Sequence, residues 1–215
     1  MTQHRNKVPF FAICRHRIGI DGPGITTLVT CMGCTLQCKY CPNKICHSPV
    51  SNAEGTSTAD YVMLLSPKEL YEKVRIDNLY FRTTGGGVCF GGGEPAIYSH
   101  FIEEFRLLCG DSWKLTIETS LNCTSEHIRR LSSVIDYWII DIKDMNPVIY
   151  KNYTGGYQDA LMRNLKYLSA LDTEGKITIR VPHISGFNTD NDVKRSIIQL
   201  NELGFRHIEE LVYIQ

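Results

Sequence analysis

The 215-residue chain has no excess of either charge, no apolar run long enough to cross a bilayer, and no low-complexity segment. Its 23 basic residues are matched by 23 acidic ones, so bulk electrostatics give no reason to expect nucleic acid or a membrane as partner. The first residues, MTQHRNKVPFFAICRHRIG, lack the continuous apolar core of a secretory signal, and a cytoplasmic protein is expected. Nine cysteines, odd in number and scattered, argue against a secreted disulfide framework. In a reducing compartment a tight cysteine cluster more often binds metal or does chemistry. The G-x-G-x-x-G of dinucleotide sites and the Lys-Ser/Thr of a P-loop are also missing, so nucleotide phosphate binding has no motif behind it.

What is present is an alternation. Short apolar or β-branched runs recur as ITTLVT (25–30), GVCF (87–90), KLTIET (114–119), DYWIID (136–141), KITIRV (176–181) and HIEELVYI (207–214). Between most of them lie stretches with helical spacing: SPKELYEKV, HFIEEFRLLC, SEHIRRLSSV, ALMRNLKYLSAL and DVKRSIIQLNELG. Ser66 before Pro67 and Glu69, Ser125 before Ile128 and Leu131, and Gly204 after Leu203 read as helix starts and a stop. Such alternation predicts an α/β fold with a parallel sheet and right-handed crossovers. About six strands are too few to close an eight-stranded barrel, so residues 1–215 are expected to form one domain, a partial, open TIM-like barrel of about six parallel βα units. The polar stretch 48–60, SPVSNAEGTSTAD, reads as a surface loop.

In a parallel βα architecture the loops after the strands carry the active site. After the first run comes CMGCTLQCKYCPN (31–43), which spaces Cys34, Cys38 and Cys41 as C-x-x-x-C-x-x-C. Three thiolates cannot close a tetrahedral zinc site, although Cys46 or His47 could complete one. An iron–sulfur cluster normally takes four cysteines, so three from one loop leave one iron open to another ligand. The compact spacing favours the open cluster, and Cys31 and Cys46 fall outside it. The six cysteines outside the triplet, Cys14, Cys31, Cys46, Cys89, Cys109 and Cys123, are expected to be mostly small buried hydrophobes.

The second run ends in a glycine strip, GGGVCFGGGEP (85–95), whose bland reading is a tight turn and whose alternative is backbone exposed to a small polar ligand. Glu118 follows in KLTIET, where a solvated charge is the default reading. Asp141 and Lys143 in IIDIK are two apart and share a face in an extended chain, so an amino-acid-like ligand would find a carboxylate for its amine and an ammonium for its carboxylate. Arg180 in TIRVP could bind a carboxylate, support a cofactor site or form a rim salt bridge. His183 receives no role.

With these residues assembled, the chain resembles the radical S-adenosylmethionine (SAM) superfamily and, within it, the glycyl-radical-enzyme activating enzymes, of which the pyruvate formate-lyase activase is the type. The matching segments are DGPGI (21–25), GCTLQCKYCPN (33–43), GGGVCFGGGEP (85–95), DIKDMN (141–146) and IRVPHISGFN (179–188). The resemblance implies a [4Fe-4S] cluster on Cys34, Cys38 and Cys41, with SAM chelating the open iron through its amino and carboxylate groups. Gly92, Gly93 and Glu94 would bind the methionine part, Lys143 its carboxylate, Asp141 would belong to the same pocket, and Tyr40 would lie near the adenine. Reductive cleavage of SAM would give a 5′-deoxyadenosyl radical that abstracts a glycine Cα hydrogen from a partner glycyl radical enzyme. A flavodoxin- or ferredoxin-like electron donor and a monomeric chain are expected. Asp21 of DGPG would lie near the active site.

Departures from the family pattern are specific. Gly91 stands where serine is common, and Glu118 stands where the type activase has an aspartate associated with a monovalent cation, so a cation there is part of what the resemblance implies. No second cysteine cluster follows Cys41, and the sequence ends at LVYIQ, where the family continues with a histidine-bearing loop and further helix. Two other readings stay open at this point: a small radical SAM enzyme acting on another peptide or a small molecule, and a zinc-binding or degenerate scaffold without chemistry.

Overall fold

Each of the six runs read as a parallel strand forms one in the computed structural model, which describes residues 7–48, 62–171 and 175–212. These are β2 (Ile25–Cys31), β4 (Gly87–Gly92), β5 (Lys114–Thr119), β6 (Tyr137–Asp141), β7 (Ile177–His183) and β8 (His207–Val212). Two further strands, β1 (Val8–Ile18) and β3 (Met63–Leu65), extend the sheet to the order β3-β1-β2-β4-β5-β6-β7-β8. β1 runs antiparallel to both of its neighbours. β3 and β8 are opposite ends of the order and do not pair, so the barrel stays open.

The sequence reading missed β1, and the reason is local. Its register against β2 shifts between Phe10 and Ala12 and again between Cys14 and Arg17, and His16 has φ +55°. Bulges of this kind destroy the period-two alternation by which a strand is recognised.

The helices cover one face of the sheet. They are α1 (Pro67–Val74), α2 (Asn78–Thr84), α3 (Ser99–Cys109), α4 (Ser125–Leu131), α5 (Pro147–Thr154), α6 (Asp159–Ser169) and α7 (Asp190–Glu202). Ser66 and Glu69 form a reciprocal capping box on α1, as the sequence suggests. Ser125 is the first residue of α4 rather than its cap, which is Thr124, and the Ser125 hydroxyl instead donates to Asn164 Oδ1 (2.8 Å). α2 and α5 were not anticipated. The segment read as a surface loop lies, apart from Ser48, outside the described residues.

Alternation within the strands sorts the two faces. Val88, Phe90, Leu115, Ile117, Ile140, Ile179 and Val181 are at most 2% exposed and pack under the helices. Their neighbours Cys89, Gly91, Glu118, Asp141 and Arg180 face the concave side, aligned across the sheet by the pairs Cys89 with Thr116 and Asp141 with Arg180. Among the described residues no helix is long and apolar enough to cross a membrane.

Candidate active site at the mouth of the open barrel

Parallel register brings the C-terminal ends of β2, β4, β5 and β6 to one rim: Cys31 pairs with Gly92, and Thr119 with Ile140. The cysteine loop leaves β2 there and is tied down at several points. Leu36, between the first two cysteines of the triplet, is 1% exposed, and burying a leucine is worth about 1.5–3 kcal/mol. The amides of Gln37 and Lys39 donate to the carbonyls of Thr154 (2.9 Å) and Tyr153 (3.0 Å). Those carbonyls belong to the last turn of α5, which has no helical partner for them. A free helix end and a loop rich in unpaired amides thus satisfy each other.

The glycine strip clamps the loop from the other side. Gly93 N–H donates to Cys31 O (3.0 Å), Glu94 N–H to Gly33 O (2.8 Å), and the Asn43 side chain to Gly92 O (3.1 Å). A Cβ on Gly93 would lie 2.0 Å from the Gly33 carbonyl oxygen, and one on Gly92, whose φ is +94°, 2.8 Å from Thr30 Cβ. The Glu94 carboxylate is buried and turned inward, accepting from Thr119 Oγ1 (2.6 Å), Ala96 N (3.2 Å), Ser120 N (3.0 Å) and Ser120 Oγ (2.6 Å). Burial pushes its pKa up against these bonds. Gly92, Gly93 and Glu94 therefore spend these polar groups and this close contact on the protein itself, holding the thiol loop to the β4 end.

The triplet is half-buried at the mouth. Burial raises the Cys38 thiol to about 11, opposed by the nearby charge of Lys143. Cys34 and Cys41 are lowered, Cys41 to about 5, each first by a hydrogen bond from Cys46. Cys46, outside the spacing, is buried as expected, and its sulfur lies within 4.8 Å of the Cys41 sulfur and the His47 ring. Cys31, Cys89, Cys109 and Cys123 are buried as expected, and Cys14 is exposed; none of the nine cysteines is paired.

Asp141 and Lys143 do meet, with Nζ 2.5 Å from Oδ2. Tyr40 packs edge-on against Tyr153 (6.1 Å) and Phe187 (5.5 Å), an aromatic group that only the tertiary structure assembles. The Tyr153 hydroxyl is buried and makes no hydrogen bond of ordinary geometry among the described residues, although the Tyr40 backbone lies near it, and Lys143 and Cys38 both act on it electrostatically. A buried polar atom without a partner costs about 1–3 kcal/mol, so a polar ligand between Cys38, Lys143 and Tyr153 would relieve it. Three thiols from one loop, a neighbouring ammonium–carboxylate pair and this hydroxyl fit an iron–sulfur cluster with an amino acid beside it.

Glu118 and Arg180 lie inside strands rather than beyond their ends, deeper on the concave face. Arg180 Nη1 binds Glu118 Oε1 (2.8 Å), Nη2 the Ile20 carbonyl (2.5 Å), and Nε reaches Glu209 (3.4 Å). One guanidinium thus joins β5, β8 and the β1–β2 hairpin across the open barrel. Burial first, then the charge of Asp21, raises the Glu118 carboxyl. Asp21 is 1% exposed and paired with Arg17, and Gly22 beside it lies so close to Thr116 that a Cβ would meet Oγ1 at 2.4 Å. His183 pairs with Glu210 (3.0 Å) and Asp190 (3.3 Å) at the rim.

Comparison with known proteins agrees with this geometry. A family model described as the Radical SAM superfamily matches residues 28–200. The chain is similar to the 4-hydroxyphenylacetate decarboxylase activating enzyme of Clostridioides difficile strain CD196, 28% identical with 91% of this chain and 81% of the relative covered. It is similar also to the (2S)-3-sulfopropanediol dehydratase activating enzyme of Klebsiella oxytoca, at 26% identity with 86% and 74% covered. Among solved structures, SuiB of Streptococcus suis bound to S-adenosylmethionine superposes with a TM-score of 0.60 at 17% identity, over 86% of this chain and 39% of that one. Native anSMEcpe with bound AdoMet gives 0.60 at 16%, over 84% and 49%. These two share the fold, an open α/β barrel, and the chain spans less than half the length of either.

Proposed function

The chain belongs to the radical SAM superfamily, and from that premise we propose that it activates a partner glycyl radical enzyme by removing a hydrogen atom from a glycine Cα. The relatives named as activating enzymes support this, and the observation that carries it is the placing of the Asp141–Lys143 pair beside Cys38 at the mouth of the barrel. A [4Fe-4S] cluster on Cys34, Cys38 and Cys41, with SAM, supplies one-electron cleavage of the sulfonium and a carbon radical able to take that hydrogen.

The protein's own residues bind and orient. Lys143 holds the carboxylate of the methionine part and Asp141 its amine. Gly92, Gly93 and Glu94 act on the same end of the ligand by fixing the loop that carries the thiols. Tyr40, with Phe187 and Tyr153, offers an apolar wall to the adenine. Arg180 and Glu118 brace the concave face beneath, so they support the cofactor pocket from behind. Glu118 and Asp141 repel each other through space, and a monovalent cation between them would relieve that repulsion. The gap between β3 and β8 leaves the barrel open laterally, which suits the entry of a partner's glycine loop. A flavodoxin- or ferredoxin-like donor, a monomeric state and a cytoplasmic setting complete the reading, the last supported by nine unpaired thiols.

The test is anaerobic reconstitution with iron and sulfide, followed by SAM, a reductant and each co-expressed glycyl radical enzyme. A glycyl EPR signal on a partner is expected. SAM cleavage with every partner left radical-free would refute the activase reading in favour of another peptide or small-molecule substrate. Zinc in place of iron with no 5′-deoxyadenosine formed would refute the enzyme reading itself.

A further inference from the structure

Asp144 follows Lys143 in the loop after β6, and it is 1% exposed although the proposed chemistry gives it no task. Its carboxylate accepts on both oxygens. Oδ1 takes the Asn146 N–H (2.8 Å) and the Ser196 hydroxyl of α7 (3.4 Å), and Oδ2 takes the Asn188 side-chain amide (3.2 Å). Asn188 lies in the loop after β7, where its Nδ2 also donates to Pro182 O (2.9 Å) and its Oδ1 accepts from Ile184 N–H (2.6 Å). These bonds close the turn 184–188, in which the Phe187 and Asn188 amides both donate to Ile184 O (3.0 and 3.1 Å). Phe187 stands in that turn with its ring against Tyr40 (5.5 Å) and Tyr153 (5.1 Å).

One carboxylate–amide contact therefore joins the loop that carries Lys143 to the loop that carries Phe187. An ionised carboxylate suits the place, because it only accepts and every group facing it donates. Hydrogen bonds to a charged acceptor are also stronger than neutral ones. The backbone on this side is fixed too: Gln158 Nε2 donates to Asp144 O (2.7 Å), and Met145 N–H donates to Ser196 Oγ (3.0 Å). We propose that Asp144, through Asn188, is a positioning residue that ties the Lys143 loop to the Phe187 loop and so sets the spacing between the two ends of the ligand pocket. Asp144 acts through these neighbours and touches no ligand itself. The role rests on the proposed reading of the mouth as a SAM pocket, with Lys143 at the methionine carboxylate and Phe187 beside the adenine. A tie of this kind makes one contact matter to both ends of one ligand, whereas a purely local contact would matter to the end it adjoins.

Asn188→Asp breaks the tie from the less buried side. It sets a second carboxylate against Asp144 while keeping an acceptor for the Ile184 N–H. Asp144→Asn in the same chain puts an amide back between the two, donating in the opposite direction. Binding of SAM is measured on the reconstituted full chain at mildly alkaline pH, where both carboxylates are ionised, and methionine and 5′-deoxyadenosine are measured by competition. Asn188→Asp is expected to keep its iron content, to weaken SAM by about tenfold or more, and to weaken both methionine and 5′-deoxyadenosine. The double variant recovers part of each loss, which general destabilisation by two substitutions would not do. Lys143→Met and Phe187→Leu serve as references, the first weakening methionine and the second 5′-deoxyadenosine. The proposal is overturned if Asn188→Asp binds SAM as wild type does, if it weakens 5′-deoxyadenosine alone, or if adding Asp144→Asn brings no recovery. A wild-type chain that binds no SAM refutes the reading of the pocket and this role with it, whereas SAM binding that Asn188→Asp leaves unchanged refutes the tie alone.

Discussion

Replacing Gly93 by alanine isolates the clamp between the glycine strip and the cysteine loop. The added Cβ would sit 2.0 Å from the Gly33 carbonyl oxygen and 3.0 Å from the Cys31 oxygen. Ordinary non-bonded contact is about 3.5 Å, so the loop must retreat by about 1.5 Å. That retreat breaks or stretches the Glu94 N–H bond to Gly33 (2.8 Å) and the Gly93 N–H bond to Cys31 (3.0 Å). Each is worth about 0.5–1.5 kcal/mol, with a further penalty for any buried group left unpaired, so a loss of about 3 kcal/mol is expected. At roughly 2–4 °C per kcal/mol for a domain of this size, the metal-free chain should melt about 6–12 °C lower. The functional consequence follows from the same displacement: Cys34 is the residue next to Gly33, so iron uptake falls well below a full cluster and SAM cleavage falls with it. Gly91→Ser is the control, because the nearest atoms to a Cβ there are side-chain atoms, Glu118 Oε2 and Leu28 Cδ1 at 3.0 Å and Glu118 Cβ at 3.6 Å. A Gly93→Ala chain that melts within about 1 °C of wild type and takes a full cluster would refute the clamp.

Three other outcomes are expected. Lys143→Met should leave iron content unchanged while weakening SAM binding by roughly 10–100-fold, the equivalent of one charged hydrogen bond of about 1.5–3 kcal/mol, read by equilibrium binding to the reconstituted protein. Arg180→Met removes a guanidinium shared by Glu118, Glu209 and the Ile20 carbonyl, and should cost about 1–3 kcal/mol in chemical denaturation, partly offset by solvent reaching the half-buried Glu118. Asp144 is 1% exposed, and burial raises its carboxyl above the ordinary aspartate value of 3.8. Between that value and the raised one the folded chain holds a proton that the unfolded chain has lost, so its contribution to stability falls as pH rises through that window. Asp144→Asn should flatten that part of the stability profile, measured as melting temperature against pH; an unchanged slope would exclude Asp144 as its source.

Much of the architecture was legible because local rules and global fold agree. The six parallel strands announce themselves as β-branched runs, and the helices between them by apolar period and by caps such as Ser66 with Glu69. β1 escaped because bulges scramble its alternation, and α5 because its role is set by what its carbonyls bind. The loop that follows β2 was identifiable from spacing alone, whereas the place of Cys46, outside that spacing, depends on the turn Lys44–His47.

Spacing along one strand or one loop was enough to read the class of fold, the thiol triplet and the shared face of Asp141 and Lys143. Contacts between elements came from the folded chain: that Gly93 and Glu94 serve the cysteine loop, that Arg180 braces three strands and a hairpin, that Phe187 and Tyr153 flank Tyr40, and that Cys46 turns back onto Gly33 and Cys41. Those relations join residues far apart in the chain, or near neighbours brought together by an unforeseen turn, and periodicity carries no record of them.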